Sequence, residues 1–303
     1  MSRILITGHR GLLGSACVRH FQGHEVLTIE GDLLDESMVR YWFDKNRPEW
    51  VIHAAAKVGG VKANRDQPVD FLITNLKMQN IVIQAAAEFG VKKLVFIGTS
   101  CMYPKHAVIP VKEEAYMNGP LEPSVESYAV AKMAGYALCR AMRAERGLSM
   151  VVACPCNLYG RNDNYGPSAH VIPSIIKRMV DAKQNNDPAI AIWGDGTQRR
   201  EFLTSDDAAR AIDVVLERYD DPDLINIGVG VGTELHQLAI ELQELIDYDG
   251  KIIWDTKQPT GIPSKTFDIS KITSLGWSPK TNLRDGLSDT LRDYLSHPTA
   301  RLK

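Results

Sequence analysis

The sequence has no apolar run approaching the ~18 residues that a membrane-crossing helix requires. Nor does it carry a basic leader ahead of a cleavable apolar stretch, because Met1 to Thr7 run directly into an apolar strand pattern. The expectation is a cytoplasmic chain. Excess charge is also missing: 35 basic residues stand against 37 acidic ones, so no overall field draws nucleic acid or an anionic membrane. Its five cysteines, Cys17, Cys101, Cys139, Cys154 and Cys156, are an odd number without metal-ligand spacing, which leaves free thiols and no metal site. There is no internal repeat and no low-complexity tract. With these classes set aside, a small-molecule ligand is the expectation.

What the sequence does contain is alternation. Strand-length apolar runs near 3–7, 25–29, 50–54, 93–98 and 149–154 are separated by segments of helical period over 12–21, 35–45, 68–89 and 125–146. That order predicts an α/β fold, a doubly wound parallel sheet built from crossover units. Pro68 suits the first turn of its helix, where the missing N–H is an orphan anyway. After Tyr159 the pattern breaks into a loop rich in Gly, Asn, Asp and Pro, then resumes as an apolar helix from Val171 to about Lys183. A helix near 205–218 and a strand near 223–227 return to the sheet. The tail from about 231 holds a helix, a strand at Lys251 to Trp254 and a final helix.

The first strand leads into Gly8-His9-Arg10-Gly11-Leu12-Leu13-Gly14, with the first helix opening inside it. Glycines at this spacing let backbone N–H groups approach a pyrophosphate, which also gains from the positive end of the helix dipole. The prediction is a Rossmann-type dinucleotide domain over 1–158 and 199–230, with a smaller, largely C-terminal substrate-binding lobe over 159–198 and 231–303. Glu30, following the second strand, suits a free ribose diol and hence NAD, whereas Arg10 suits a ribose 2′-phosphate and hence NADP. Asp32 is read either as a partner of the adenine amine or as a cap of the next helix.

In Ser127-Tyr128-Ala129-Val130-Ala131-Lys132, Tyr128 and Lys132 share one helix face. An ammonium near a phenol lowers its pKa and makes it a usable proton donor to a ketone, and the lysine can also hold the nicotinamide ribose. The fourth strand ends at Gly98-Thr99-Ser100-Cys101, and ligands of open parallel sheets sit beyond such ends. Thr99 and Ser100 are therefore candidates to bind a keto oxygen. His53 is read as a packed strand residue.

Together these stretches resemble the GDP-L-fucose synthases, the GDP-4-keto-6-deoxymannose epimerase/reductases of the extended short-chain dehydrogenase/reductase superfamily. The resemblance runs over nearly the whole chain, through GHRGLLGSA at 8–16, AAAKVGGVKAN at 54–64, TSCMYPK at 99–105, LEPSVESYAVAKMAG at 121–135, NLYGRNDN at 157–164, SAHVIPSIIKR at 168–178 and WGDGTQRREFL at 193–203. It implies that Cys101 removes a proton beside the sugar ketone and that His170, also next to the cofactor, returns one on the opposite face. By the same resemblance Arg178, Trp193, Arg200 and Lys265 hold the GDP moiety, NADP(H) is preferred with NAD(H) possible, and helices 68–89 and 125–146 pair two copies into a homodimer. Their apolar faces include Ile81, Ile83, Ala85, Ala134 and Leu138.

Two departures stand out. Thr99 occupies a position where the family often has serine, and the loop after the second strand is short and lacks the arginine that commonly helps hold the NADP phosphate. GDP-colitose synthases and reductases of GDP-linked heptoses share the same motifs, so the particular GDP-sugar stays open. A dehydratase is disfavoured because Ser100-Cys101 stands where such enzymes carry Asp-Glu. A non-catalytic dinucleotide-binding regulator is disfavoured because Tyr128 and Lys132 are both present.

Overall fold

The computed structural model describes residues 1–257 and 262–297; the 258–261 and 298–303 stretches of the expected second lobe lie outside the described residues. The chain runs β1 (Arg3–Thr7), α1 (Leu12–His20), β2 (Glu25–Leu27), α2 (Glu36–Asn46), β3 (Trp50–His53), α3 (Val61–Asp66), α4 (Pro68–Glu88), β4 (Lys93–Ile97), α5 (Glu126–Arg146) and β5 (Ser149–Pro155). It continues through β6 (Asn157–Tyr159), α6 (Val171–Asn185), β7 (Ala189–Trp193), β8 (Arg199–Arg200), β9 (Phe202–Thr204), α7 (Ser205–Arg218) and β10 (Leu224–Ile227). Last come β11 (Thr233–Glu234), α8 (Leu235–Ile246), β12 (Lys251–Asp255), β13 (Ser264–Lys265), α9 (Ser270–Ser274) and α10 (Leu283–Ser296).

Six strands form one parallel sheet in the order β10-β5-β4-β3-β1-β2. Both faces are covered, α2, α4 and α5 packing in one row and α1 against α7. This is why its inner strands are continuous apolar runs rather than alternating ones: every residue of β4 is buried. The strand order reverses between β1 and β3, so the loops after β1, β3 and β4 converge on the crevice where such sheets bind ligands. The doubly wound sheet is thus the one expected from sequence.

A second apolar core gathers α6, α8 and α10 with the parallel pair β7–β12, around Tyr165, Ile175, Met179, Leu242 and Leu287. The segment holding Phe267, Ile272 and Trp277 packs instead into the core of the large sheet. That return was not legible in the pattern. Pro68 does open α4, whereas α3 was not foreseen, since its six residues bury only Asn64 and leave no periodic apolar stripe.

Candidate active site

At the end of β1, Gly8 has φ +71°, and a Cβ there would lie 2.8 Å from the Ala55 backbone. At Gly14 a Cβ would lie 2.1 Å from the Gly8 carbonyl oxygen, so this position of α1 can rest on the turn only as glycine. The turn is closed by a 2.8 Å hydrogen bond in which Gly11 N donates to Gly8 O. Gly11 caps α1 without a side-chain acceptor, leaving the first amides of Leu12 and Leu13 available to an anion. The residues fit a dinucleotide. Thr7 fastens the neighbouring strand end: its hydroxyl shares a 2.8 Å hydrogen bond with His53 Nδ1 and accepts one from Ala55 N. His53 is fully buried, and desolvation pushes its pKa down to about 3, so it packs as a neutral ring.

The two residues read as opposed cofactor determinants are joined: Arg10 ion-pairs with Glu30, and His9 Nε2 lies 3.1 Å from the same carboxylate. Glu30 therefore restrains the Arg10 side chain of the loop and lies against His9. Asp32 closes a turn by accepting from Leu34 N, while Asp35 caps α2, so the helix-cap reading of Asp32 is corrected.

Thr99 follows β4 and caps the short 3₁₀ turn Ser100–Met102, its hydroxyl accepting from Cys101 N at 3.3 Å. The same threonine side chain hydrogen-bonds the Tyr128 phenol, and the thiols of Cys101 and Cys154 lie near that phenol. Thr99, Cys101 and Tyr128 form one cluster. Lys132 lies one turn along α5, on the same face, fully enclosed, with Nζ donating to Ile97 O at 2.8 Å and lying 4.6 Å from the centre of the Phe96 ring. The expected depression of the phenol pKa is not found here. Burial first, and then the neighbouring Cys101, push the Tyr128 pKa above the ordinary tyrosine value, outweighing the Thr99 hydrogen bond. Burial also pushes the Lys132 ammonium down to about 7, because it faces a carbonyl and a ring rather than a carboxylate.

The opposite wall depends on residues that sequence reasoning passed over. Buried Asn75, on α4, accepts from Lys57 N and donates to Lys57 O, pinning the loop after β3. Gly60 N then donates to Ser168 O at 3.0 Å, and a Cβ on Gly60 would lie 2.9 Å from Ala169 O. A Cβ on Gly59 would lie 3.1 Å from Phe71, whose ring meets Tyr128 edge-on at 6.2 Å. These contacts bring the segment before His170 toward the tyrosine. The signal was the pair Gly59-Gly60 inside AAAKVGGVKAN.

His170 precedes α6 with an open side chain that makes no capping bond, and surrounding protein lowers its imidazole pKa. Arg178, on α6, is braced by Ser174 and by Ala191 O. Trp193, at the end of β7, is 37% exposed, which leaves an indole face for a planar ligand. Arg200, on β8, is within electrostatic reach of Cys101. Lys265, on the adjacent β13, donates to the Ser100 carbonyl at 2.7 Å. Glu201, also missed, is buried and accepts from Gly230 N and Phe267 N, tying β9 to the segment after β13. Among the described residues, no cluster of three His, Cys, Asp or Glu side chains could hold a metal, and no helix is long and apolar enough to cross a membrane.

Residues 4–228 match the family described as NAD dependent epimerase/dehydratase family. GDP-L-fucose synthase 1 of Arabidopsis thaliana is 44% identical, over 98% of this chain and 94% of its own. The NADP-bound gdp-l-fucose synthetase of Naegleria fowleri superposes with TM-score 0.90 at 27% identity, covering 99% of this chain and 96% of its own. A GDP-6-OMe-4-keto-L-xylo-heptose reductase from C. jejuni gives TM-score 0.89 at 29% identity, with 98% of both chains covered.

Proposed function

The chain belongs to the NAD dependent epimerase/dehydratase family and, within it, with the GDP-L-fucose synthases; from that premise we propose that it converts GDP-4-keto-6-deoxy-D-mannose to GDP-L-fucose. The observation that carries this reading is the cluster of Thr99, Cys101 and Tyr128 at the end of β4.

As a thiolate, Cys101 takes a proton from the carbon beside the ketone; the C–H electron pair moves into an enolate, and an S–H bond forms. The Tyr128 and Thr99 hydroxyls, with Ser100 nearby, stabilise the oxyanion. His170 delivers a proton to the opposite face, inverting carbons 3 and 5 in turn. When bound, the reduced nicotinamide supplies hydride to carbon 4. Tyr128 then gives its proton to the alkoxide, and Lys132 holds the cofactor ribose. Gly8, Gly11 and Gly14, with the amides of Leu12 and Leu13, take the pyrophosphate. Arg178, Trp193 and Arg200 hold the GDP moiety, two cations for its diphosphate and an indole for its base. The test is incubation of the purified protein with this keto sugar and NADPH, following nicotinamide oxidation and identifying the product; failure to oxidise NADPH with this ketone overturns the substrate assignment.

The likeness to the heptose reductase favours one alternative, a plain 4-ketoreductase of another GDP-sugar. NADP(H) is the preferred cofactor and NAD(H) is accepted. Because Glu30 ion-pairs with Arg10, a 2′-phosphate must compete with it for that guanidinium, so the preference is modest. Arg10→Ala is expected to weaken NADPH several-fold with little change for NADH, measured by titration of both. An equal loss for both would assign Arg10 to the shared pyrophosphate or to the fold.

The active form is a homodimer through α4 and α5. The faces first considered are corrected in part, since Ile83 and Ala85 are buried in the chain's own core. The exposed stripe is Val69, Ile73 and Val130. Light scattering at micromolar concentration should give twice the chain mass, and a monomer there refutes the pairing. All five cysteines are free, in keeping with a reducing, cytosolic setting.

A further inference from the structure

We propose that Lys265 is a positioning residue for Cys101, fastening the turn that carries the cysteine, instead of holding the GDP diphosphate. The inference rests on the reading of Cys101 as the base that removes the sugar proton.

The geometry begins with strand pairing. β13 pairs in parallel with β8, register Lys265 to Arg200, which sets the two cations side by side on the same wall. The strand is held from both directions. Phe267 N donates to buried Glu201 at 2.8 Å, and Val111 N donates to Thr266 O at 2.8 Å, so the backbone beneath the lysine is fixed. From there the half-buried side chain reaches across to β4, where Nζ donates to the Ser100 carbonyl at 2.7 Å. That carbonyl belongs to the residue immediately before Cys101 and also accepts from Tyr103 N at 3.3 Å, closing the 3₁₀ turn. The lysine thus clamps the turn from outside.

Around the Lys265 ammonium stand the thiols of Cys101 and Cys154 and the charged Arg200 and Glu122, and Lys105 ion-pairs with Glu122 at 3.1 Å. Burial lowers the lysine's pKa. Arg200 stands against Lys265 on the same wall, so the diphosphate can be held by Arg200 and Arg178 while the lysine remains with the turn. An ammonium partly withdrawn from water toward a neutral carbonyl and a thiol is unfavourable unless its place serves those partners.

The experiment compares wild type, Lys265→Met, Lys265→Arg and Cys101→Ser, each loaded with NADPH and given GDP-4-keto-6-deoxymannose in deuterated water. Three quantities are read: deuterium entry at carbons 3 and 5, nicotinamide oxidation, and GDP affinity by calorimetry. In Lys265→Met the ratio of exchange to oxidation should fall roughly tenfold or more, the scale of a lost charge-assisted hydrogen bond. GDP affinity should stay within about twofold, and Lys265→Arg, which keeps a charge and a donor, should recover part of the exchange. Weaker GDP binding with an unchanged exchange ratio would return Lys265 to the diphosphate and overturn the proposal. A uniform fall in all three quantities with a lowered Tm would overturn it as well, by making the lysine a general brace. If wild type oxidises NADPH without exchanging either carbon, the reading of Cys101 as a base fails, an outcome visible before any lysine variant is compared.

Discussion

Tyr128→Phe should lower reduction of the ketone by roughly a hundredfold or more, because a positioned proton donor contributes on that scale. The substitution removes one oxygen and little else. The phenylalanine ring keeps the edge-on packing against Phe71, and α5 keeps Lys132 on the Ile97 carbonyl. What disappears is the hydroxyl bonded to Thr99. Burial and the nearby Cys101 hold the phenol above the ordinary tyrosine value, so at neutral pH it stands protonated, ready to donate in the reducing direction. The reverse reaction needs the phenolate and should be favoured by rising pH. Single-turnover oxidation of bound NADPH measures the loss, and dinucleotide titration checks that the site survives. Oxidation at near-normal rate would remove Tyr128 from the chemistry.

The parts legible in the sequence share a feature, namely that their physics is local or periodic. Strand-length apolar runs alternating with helical ones specify a parallel sheet, and a sheet of that kind places the ends of β1 and β4 together without further information. Gly8 and Gly14 announce themselves because no side chain fits where the turn meets α1 and the next strand. Tyr128 and Lys132 are readable as a pair because one helical turn separates them.

What escaped depends on contacts between segments distant along the chain. Nothing in the local pattern shows that Asn75 will hold the backbone of Lys57, that Glu201 will gather amides near Gly230 and Phe267, or that Lys265 will end on Ser100. Charge was misjudged for the same reason. Lys132 is on the expected face, yet its ammonium is taken up by a carbonyl and an aromatic ring, and burial rather than a neighbouring cation dominates the tyrosine. Arg10 and Glu30, opposed as cofactor determinants when read one by one, neutralise each other once the loop folds.

Cys101→Ser and His170→Asn should separate the two halves of the mechanism, with the cysteine variant abolishing solvent exchange at carbons 3 and 5 and the histidine variant retaining it without inversion. The reasoning follows from position. Cys101 stands on the turn at the end of β4 beside Tyr128, while His170 enters from the segment before α6, which Gly59 and Gly60 bring against the loop after β3. A serine hydroxyl is too weak a base to replace a thiolate, so no proton leaves the carbon. With asparagine at 170 the thiolate still takes the proton, and deuterium returns from the same side, labelling the carbon while preserving its configuration. In both variants Tyr128 and Lys132 remain, so oxidation of NADPH by the ketone continues at a reduced rate and yields a product inverted at neither carbon. pH adds an independent check. The surrounding protein lowers the His170 pKa below the usual histidine value, and inversion requires its charged form. The inverted fraction in wild type should therefore decline as pH rises through the acidic side of the histidine range. Mass spectrometry of the sugar gives the label, and product chromatography gives the configuration. Exchange that persists undiminished in Cys101→Ser, or inversion that persists in His170→Asn, would remove the corresponding residue from the proton transfer, and a wild type that reduces the ketone without exchanging either carbon would be a simple 4-ketoreductase.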